Sequence, residues 1–514
     1  MSLVSAPFLA FILLVTAAYY IIPGKVRYIL LLIASIVFCL YGGFYTLVFV
    51  LISCVTTYIG GALSYKRSRN AYANIACIVT VVFNLALLCL VKFYGVMDGI
   101  SDRLNSLFAF NGQTSTFMLY AVPIGMSFYT LQMIGYVLDC RWERISPEKN
   151  FLKYLLFATY FPYLTSGPMN TYAGLWAELD KSRTVRFSIT RIKEGAIRIA
   201  WGFFKKLVIA ERAALIVNAA YGDHNTYTGI YVILGAIGFA IQLYSDFSGC
   251  MDVVLGASHL LGIDLPENFN SPYLAVSIRE YWQRWHSTLG SWLRDYLFYP
   301  LLKTRMFIKI GDAARKAFGK KKGKKVPVYL AMIVLWFAVG YWHGGVWKYI
   351  IGSGLLHCFY IVAGMMAEPL FQKMRGPLKA DKAYFKVFRI IRTFVLVLIG
   401  FVFFRSVNVP DAIDMFGALL RSGGTAFGLQ GIIGMGISSA DLIVLAIGTA
   451  LLALVDIYKY RPDESESPRS VLELINRGGM LTSWAVFLIL VLAVLILGKY
   501  GLGYDSGAFI YARI

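Results

Sequence analysis

The sequence predicts an all-α polytopic membrane protein with roughly ten to twelve transmembrane helices and further re-entrant or amphipathic helices between them. Three observations carry this. The 514 residues are 58% hydrophobic and only 15% charged, with a mean hydropathy of +0.64, a composition that a soluble globular chain does not have. Apolar runs recur along the chain at lengths that cross a ~30 Å hydrocarbon core at 1.5 Å per residue. The runs lack the alternation of apolar and polar residues that a transmembrane barrel requires.

In chain order the apolar stretches are 5–22, 28–43, 44–63, 73–96, 115–138, 195–219, 229–247, 326–341, 346–366, 392–404, 438–456 and 480–499. Between them, positive residues mark the cytoplasmic loops. Lys25 and Arg27 follow the first stretch, Lys66, Arg67 and Arg69 the third, and Arg141, Arg144 and Lys149 the fifth. The loops at Gly42-Gly43-Phe44 and 97–114 carry Arg103 as their one basic residue. The amino terminus is therefore expected outside, and the first stretch, without a basic leader or small-residue cleavage site, reads as a retained span. By texture the chain divides into plain N-terminal spans (1–140), a core rich in Trp, Pro and polar residues (141–370), and further spans (371–514). Within that core, 259–305 is too polar to span, yet Tyr281, Trp282, Trp285, Leu289, Trp292, Leu293, Tyr296 and Leu297 recur at helical spacing. Irregular backbone at membrane depth must be buried in protein or line a wet cavity.

The formal charge of +21, from 49 basic and 28 acidic residues, follows largely from topology. Clusters such as Lys320-Lys321-Lys322-Gly323-Lys324-Lys325 would also suit anionic lipid headgroups or an anionic donor. Nucleic acid is not an expected partner, since no soluble domain presents a basic face. Seven cysteines are scattered without CxxC spacing, so neither a disulfide framework nor a metal site is expected.

Two of the five histidines stand in Trp-rich, apolar settings: His286 in Tyr281-Trp282-Gln283-Arg284-Trp285-His286, and His343 in Tyr341-Trp342-His343-Gly344-Gly345. Imidazole titrates near neutrality, so at membrane depth it can accept and return a proton where other ionisable groups are costly. A histidine there can also simply bond a carbonyl. If one unbroken helix joined His343 and His357, they would stand roughly 21 Å apart along its axis, so His357 is expected to be structural.

Asp246-Phe247-Ser248-Gly249-Cys250-Met251-Asp252, Leu265-Pro266-Glu267-Asn268-Phe269-Asn270-Ser271-Pro272-Tyr273, and Arg284-Trp285-His286-Ser287-Thr288-Leu289 with Trp292-Leu293-Arg294-Asp295-Tyr296-Leu297 resemble the signature stretch of membrane-bound O-acyltransferases. Trp342-His343-Gly344-Gly345-Val346-Trp347 resembles that family's second histidine motif. Pro123–Thr130, Gly167-Pro168, Gly202–Lys206 and Gly400–Arg405 extend the likeness along nearly the whole chain, which is most similar to the bacterial alginate O-acetyltransferase-like branch. Cys358 and Tyr281 depart from the usual Gly and Phe. The D-alanyl-teichoic acid branch shares both histidine motifs but usually ends soon after the second, whereas this chain continues through Phe403-Phe404-Arg405.

The resemblance implies helices around a central tunnel, a bacterial cell-membrane location, His343 as catalytic base and His286 as a second wall of the pocket. It implies acetyl-CoA as donor substrate, with no bound cofactor and no metal. It also implies an extracytoplasmic glycan as acceptor, reached directly or through an extracytoplasmic SGNH/DHHW-type transferase partner, with loops 97–114 and 407–437 as docking candidates. Trp282, Trp285, Trp342, Arg284, Arg294, Asp295, Asp246 and Asn270 are candidates for donor or substrate contacts. For the charged ones a structural ion-pair network holding the irregular segment is the competing reading. The alternatives in function are D-alanyl transfer from a carrier protein, and an export component without chemistry. No internal repeat favours the latter.

Overall fold

The structure, a computed structural model, describes residues 2–65, 71–92, 123, 125–375, 382–421, 424–462 and 468–500. Loop 97–114, Lys66, Arg67, Arg69 and much of the stretch 115–138 lie outside them. Apart from one isolated antiparallel bridge between Phe269 and Trp285, regular structure among the described residues is helical.

Eight described helices are long and apolar enough to cross a membrane: Gly24–Tyr41, Phe44–Ser64, Ala71–Val91, Ile230–Leu260, Tyr349–Met374, Ala383–Arg405, Ser439–Lys459 and Gly479–Leu497. A ninth is reached by counting Arg305–Gly323 with Val326–Trp342 as one broken span, bent by 94°. The chain is a multi-pass membrane protein. This count is of the described residues, which leave out much of the stretch 115–138. Ala6–Ile21 is apolar but has only 16 residues. The stretch 195–219 is helical, but Lys205, Lys206, Glu211 and Arg212 fall within it, and a π turn at Phe204–Ala210 interrupts it. Outward side chains on the spans, such as Ile75, Ile78, Val79 and Val82, or Leu488, Ile489, Leu492 and Leu495, are apolar and exposed, as a lipid solvent permits.

Contacts divide the chain into two compact units. The first comprises Met1–Ile199 and Cys250–Pro266. In it, Phe44–Ser64 packs against Ala71–Lys92 and Met126–Arg141, and the joints are polar. The Tyr154 hydroxyl donates to Thr57 Oγ1 at 2.8 Å, and the rings of Tyr136 and Tyr154 lie 4.5 Å apart. Buried hydroxyls with partners are what a helix bundle in hydrocarbon can accommodate. The Tyr58 hydroxyl reaches the Lys149 carbonyl (2.8 Å), and Arg141 reaches Asn74 (2.8 Å). Segments on either side of these basic positions thus share one end of the unit.

The second unit comprises Ala200–Gly249 and Glu267–Ile510. The π turn Phe204–Ala210 buries two lysines. Lys206 Nζ lies 2.6 Å from both Asp246 and Glu211, and Lys205 Nζ donates to Ser248 Oγ at 2.8 Å. Beside them, Asp441 accepts from Arg212 (3.0 Å) and Lys499 (3.0 Å). Buried charges are retained only when paired in this way. Two further π turns, Arg294–Phe298 and Tyr349–Leu355, fall in the regions that carry the histidine motifs.

Candidate active site

The polar segment expected to form an amphipathic or re-entrant helix is divided. It runs as Ile278–Arg284, Ser287–Leu293, the π turn Arg294–Phe298 and Tyr299–Leu302. The break at Trp285-His286 has a visible cause. Backbone there pairs with 268–270: Asn270 N–H donates to the Arg284 carbonyl (2.9 Å) and Ser287 N–H to the Asn268 carbonyl (3.1 Å). His286 sits between these two bonds with φ 47° and ψ 47°, a left-handed conformation uncommon outside glycine, in which His is enriched along with Asn and Asp.

Asn268 fixes the His286 ring. Its Oδ1 lies 3.0 Å from His286 Nδ1, 2.8 Å from Thr288 Oγ1 and 3.3 Å from Thr288 N. A backbone N–H only donates, so the amide atom facing Thr288 is the oxygen, and Nδ1 of a neutral His286 must carry the proton. The lone pair is then on Nε2. His286 lies outside the candidate spans, and burial lowers its pKa to about 3, holding it neutral. The Phe247 ring meets it edge-on at 5.0 Å.

His343 ends the apolar helix Val326–Trp342 and is 2% exposed. The chain then turns through Gly344 (φ 157°) and Gly345 (φ 71°). Gly345 occupies backbone that a β-carbon disfavours, and a β-carbon on Gly344 would come within 2.8 Å of the Tyr349 ring. His343 is walled by Trp342 (5.1 Å), Phe404 (5.7 Å) and Tyr349 (6.4 Å between ring centres). Trp342 also lies 6.4 Å from His286. One indole therefore neighbours both imidazoles, which the sequence left far apart along the chain.

The other candidates separate. Trp285 is buried against Phe269 (5.0 Å) and Tyr281 (5.7 Å). Trp282 stacks edge-on against His357 (5.0 Å) and Trp336 (5.0 Å), and its indole N–H is buried without an acceptor. Arg284 is buried and bonded to protein: Nε to Glu280 at 2.8 Å, Nη2 to the Arg461 carbonyl at 2.7 Å. Asp246 is held by Lys206, and in the first unit Asp252 pairs with Arg198 (3.1 Å). Arg294 and Asp295 are half-exposed neighbours at 3.7 Å. The Asn270 side-chain oxygen is buried without a donor. His357 lies beyond the Gly344-Gly345 break, and a β-carbon on Gly400 would fall 2.7 Å from its Nε2. The sequence reading passed over Asn268, Phe404 and Tyr349. Asn268 and Phe404 both stand inside segments that carry the family resemblance, but only tertiary packing brings Phe404 to His343.

Residues 61–311 match the family described as MBOAT, membrane-bound O-acyltransferase family. The chain is 30% identical over 452 residues to the "Probable alginate O-acetylase AlgI" of Pseudomonas syringae pv. tomato, covering 87% of this chain and 80% of the relative. The chain belongs to the membrane-bound O-acyltransferase family. It is also 26% identical to the "Peptidoglycan O-acetyltransferase" of Helicobacter pylori, over 80% of this chain and 74% of the relative. With the "Teichoic acid D-alanyltransferase" of Bacillus subtilis it shares 28% identity over a shorter stretch, 55% of this chain and 68% of that one. This membrane O-acyltransferase therefore uses an acyl donor, and His286 and His343, with the geometry just described, both lie in its second unit. Among the described residues no group of His, Cys, Asp and Glu could hold a metal ion.

Proposed function

We propose that this acyltransferase moves an acetyl group from cytosolic acetyl-CoA to an extracytoplasmic polysaccharide, directly or through an extracytoplasmic SGNH/DHHW-type transferase. It would lie in a bacterial cell membrane with its amino terminus outside, and 141–370 would form the catalytic core. The observation that carries the reading is the burial of His343 at a helix end, beside a glycine turn and sharing Trp342 with His286. The longer alignments to the alginate and peptidoglycan acetylating relatives support acetyl as the group moved.

In the reaction an acceptor hydroxyl oxygen attacks the thioester carbonyl, the C–O bond forms and the C–S bond breaks. His343 takes the hydroxyl proton and returns it to the leaving thiolate. The carbonyl end of Val326–Trp342 is a favourable place for the transient imidazolium. His286 is held neutral by burial, with its Nδ1 proton committed to Asn268. Its place is to offer the Nε2 lone pair as a fixed acceptor in the pocket wall. The aromatic rings around both exclude water. Asn270, Trp282, Arg294 and Asp295 remain the residues to test for donor contacts.

The test is ester-linked acetate on cell-surface polymers, comparing wild type with His343→Ala at matched membrane abundance. Loss of a base should lower acetylation by roughly 10²-fold or more with polymer export intact. Unchanged acetate with lost D-alanine ester would replace this reading by teichoic acid alanylation, and unchanged acetate with impaired export by transport.

A further inference from the structure

The first unit holds a cavity of about 100 Å³ whose lining shares no residue with the candidate active site. Four cations line it, Lys25, Arg27, Lys153 and Arg183, against one carboxylate, Asp180, with Trp176 and Tyr28 among the walls. The residues come from separate places in the chain. A 3-10 turn Gly24–Val26 is pressed so closely on the end of helix Tyr172–Ser182 that a β-carbon on Gly24 would lie 1.9 Å from the Arg183 carbonyl. That contact fixes Lys25 beside Arg183.

The cations are not equivalent. Arg27 is buried and committed, donating to the carbonyls of Ser182 (2.9 Å) and Val185 (2.8 Å) and lying over Tyr19 at 4.6 Å. Asp180 makes only a long, exposed contact of 3.4 Å with Arg183. Lys153 Nζ stands 4.9 Å above the Trp176 ring, and the Trp176 indole N–H is buried without an acceptor. Positive charge in excess, an unsatisfied buried donor and an enclosed volume together describe a receptor for an oxyanion.

We infer that this cavity binds the headgroup phosphate of an anionic membrane phospholipid. Lipid is the source because the cavity opens at the start of the candidate span Gly24–Tyr41. That helix turns Ile29, Ile33, Val37 and Leu40 outward, exposed and apolar, a track along which acyl chains can lie. Trp and Tyr at a span end suit the headgroup level, and each lysine there contributes to anionic-lipid attraction. The site is independent of the transferase reading.

The experiment measures phosphatidylglycerol bound to the purified full-length protein by native mass spectrometry, after incorporation into phosphatidylcholine vesicles with and without phosphatidylglycerol. Wild type should retain phosphatidylglycerol in preference to phosphatidylcholine. Lys25→Gln/Lys153→Gln should weaken it roughly tenfold or more, while Lys303→Gln/Lys309→Gln, exposed and outside both the cavity and the 320–325 cluster, should leave it unchanged. Trp176→Phe, which keeps every charge and the aromatic plate, should weaken it severalfold and serves if the double variant fails to fold. Undiminished binding in the cavity variants, or an equal loss in the outside pair, would overturn the inference. Inorganic phosphate saturating the protein in place of the lipid would overturn the lipid source.

Discussion

Replacing Asn268 by alanine removes one acceptor from three donors at once. Asn268 is fully buried, and its Oδ1 serves His286 Nδ1, Thr288 Oγ1 and Thr288 N–H. A neutral hydrogen bond contributes about 1 kcal/mol net, but a buried donor left without a partner costs about 1–3 kcal/mol. The imidazole N–H bears most of that cost, because His286 is buried while Thr288 is partly exposed and its hydroxyl can turn. The expected loss is about 2–4 kcal/mol. Thr288→Val, which removes one donor and leaves the acceptor with the others, should cost about 1 kcal/mol. Because the two changes share a bond, the double variant should lose less than the sum. Unfolding is followed in detergent by thiol-dye labelling of the buried cysteines, such as Cys358, with each kcal/mol moving the midpoint by roughly 2 °C. An Asn268→Ala midpoint equal to wild type, or strict additivity with Thr288→Val, would show that Asn268 does not anchor the imidazole.

Two further outcomes follow from buried charge. Asp246→Asn removes one of the two carboxylates that lie 2.6 Å from the buried Lys206 ammonium, and the same labelling assay should show a loss of about 3 kcal/mol, as when one member of a buried pair is removed. The His286 pKa, lowered from 6.5 to about 3 by burial, means that the unfolded chain takes up a proton below pH 6.5 that the folded chain refuses until near pH 3. Folding stability should therefore fall with pH across that window, by about 2 kcal/mol between pH 7 and 5 for this one group. His286→Asn, which tolerates the left-handed backbone and does not titrate, should show a shallower decline over the same interval, and parallel curves would contradict the neutral, buried imidazole.

Hydropathy made the long spans legible because lipid-facing side chains are read one residue at a time. It says nothing of how the charges within 195–219 are accommodated, which is from afar: Lys206 by Asp246, forty positions on, and Arg212 by Asp441. Ala6–Ile21 is apolar but, at 16 residues, shorter than the eight long helices. The two histidines stood out by their Trp-rich surroundings, and the structure gives them a common neighbour in Trp342. Helical spacing across 281–297 suggested continuity that the backbone pairing of 268–270 with 284–287 interrupts, and no local pattern announces a pairing across that distance. For Arg284 the residues left donor contact and an ion-pair network both open, and its pairing with Glu280, one turn earlier, is what the network reading describes.

The π turn Tyr349–Leu355 has a consequence for how this chain tolerates changes in length. A wide turn accommodates one residue more than an α-helix of the same rise. Deleting a single residue inside it can close the turn to α geometry while the flanking helix keeps its facing. The same deletion in the regular helix before or after it rotates every later side chain by about 100°, carrying His357 away from Trp282 and Trp336. The segment after the second histidine motif is therefore a place where one residue can be lost and the fold kept, with the damage confined to the wall around His343 that Tyr349 supplies.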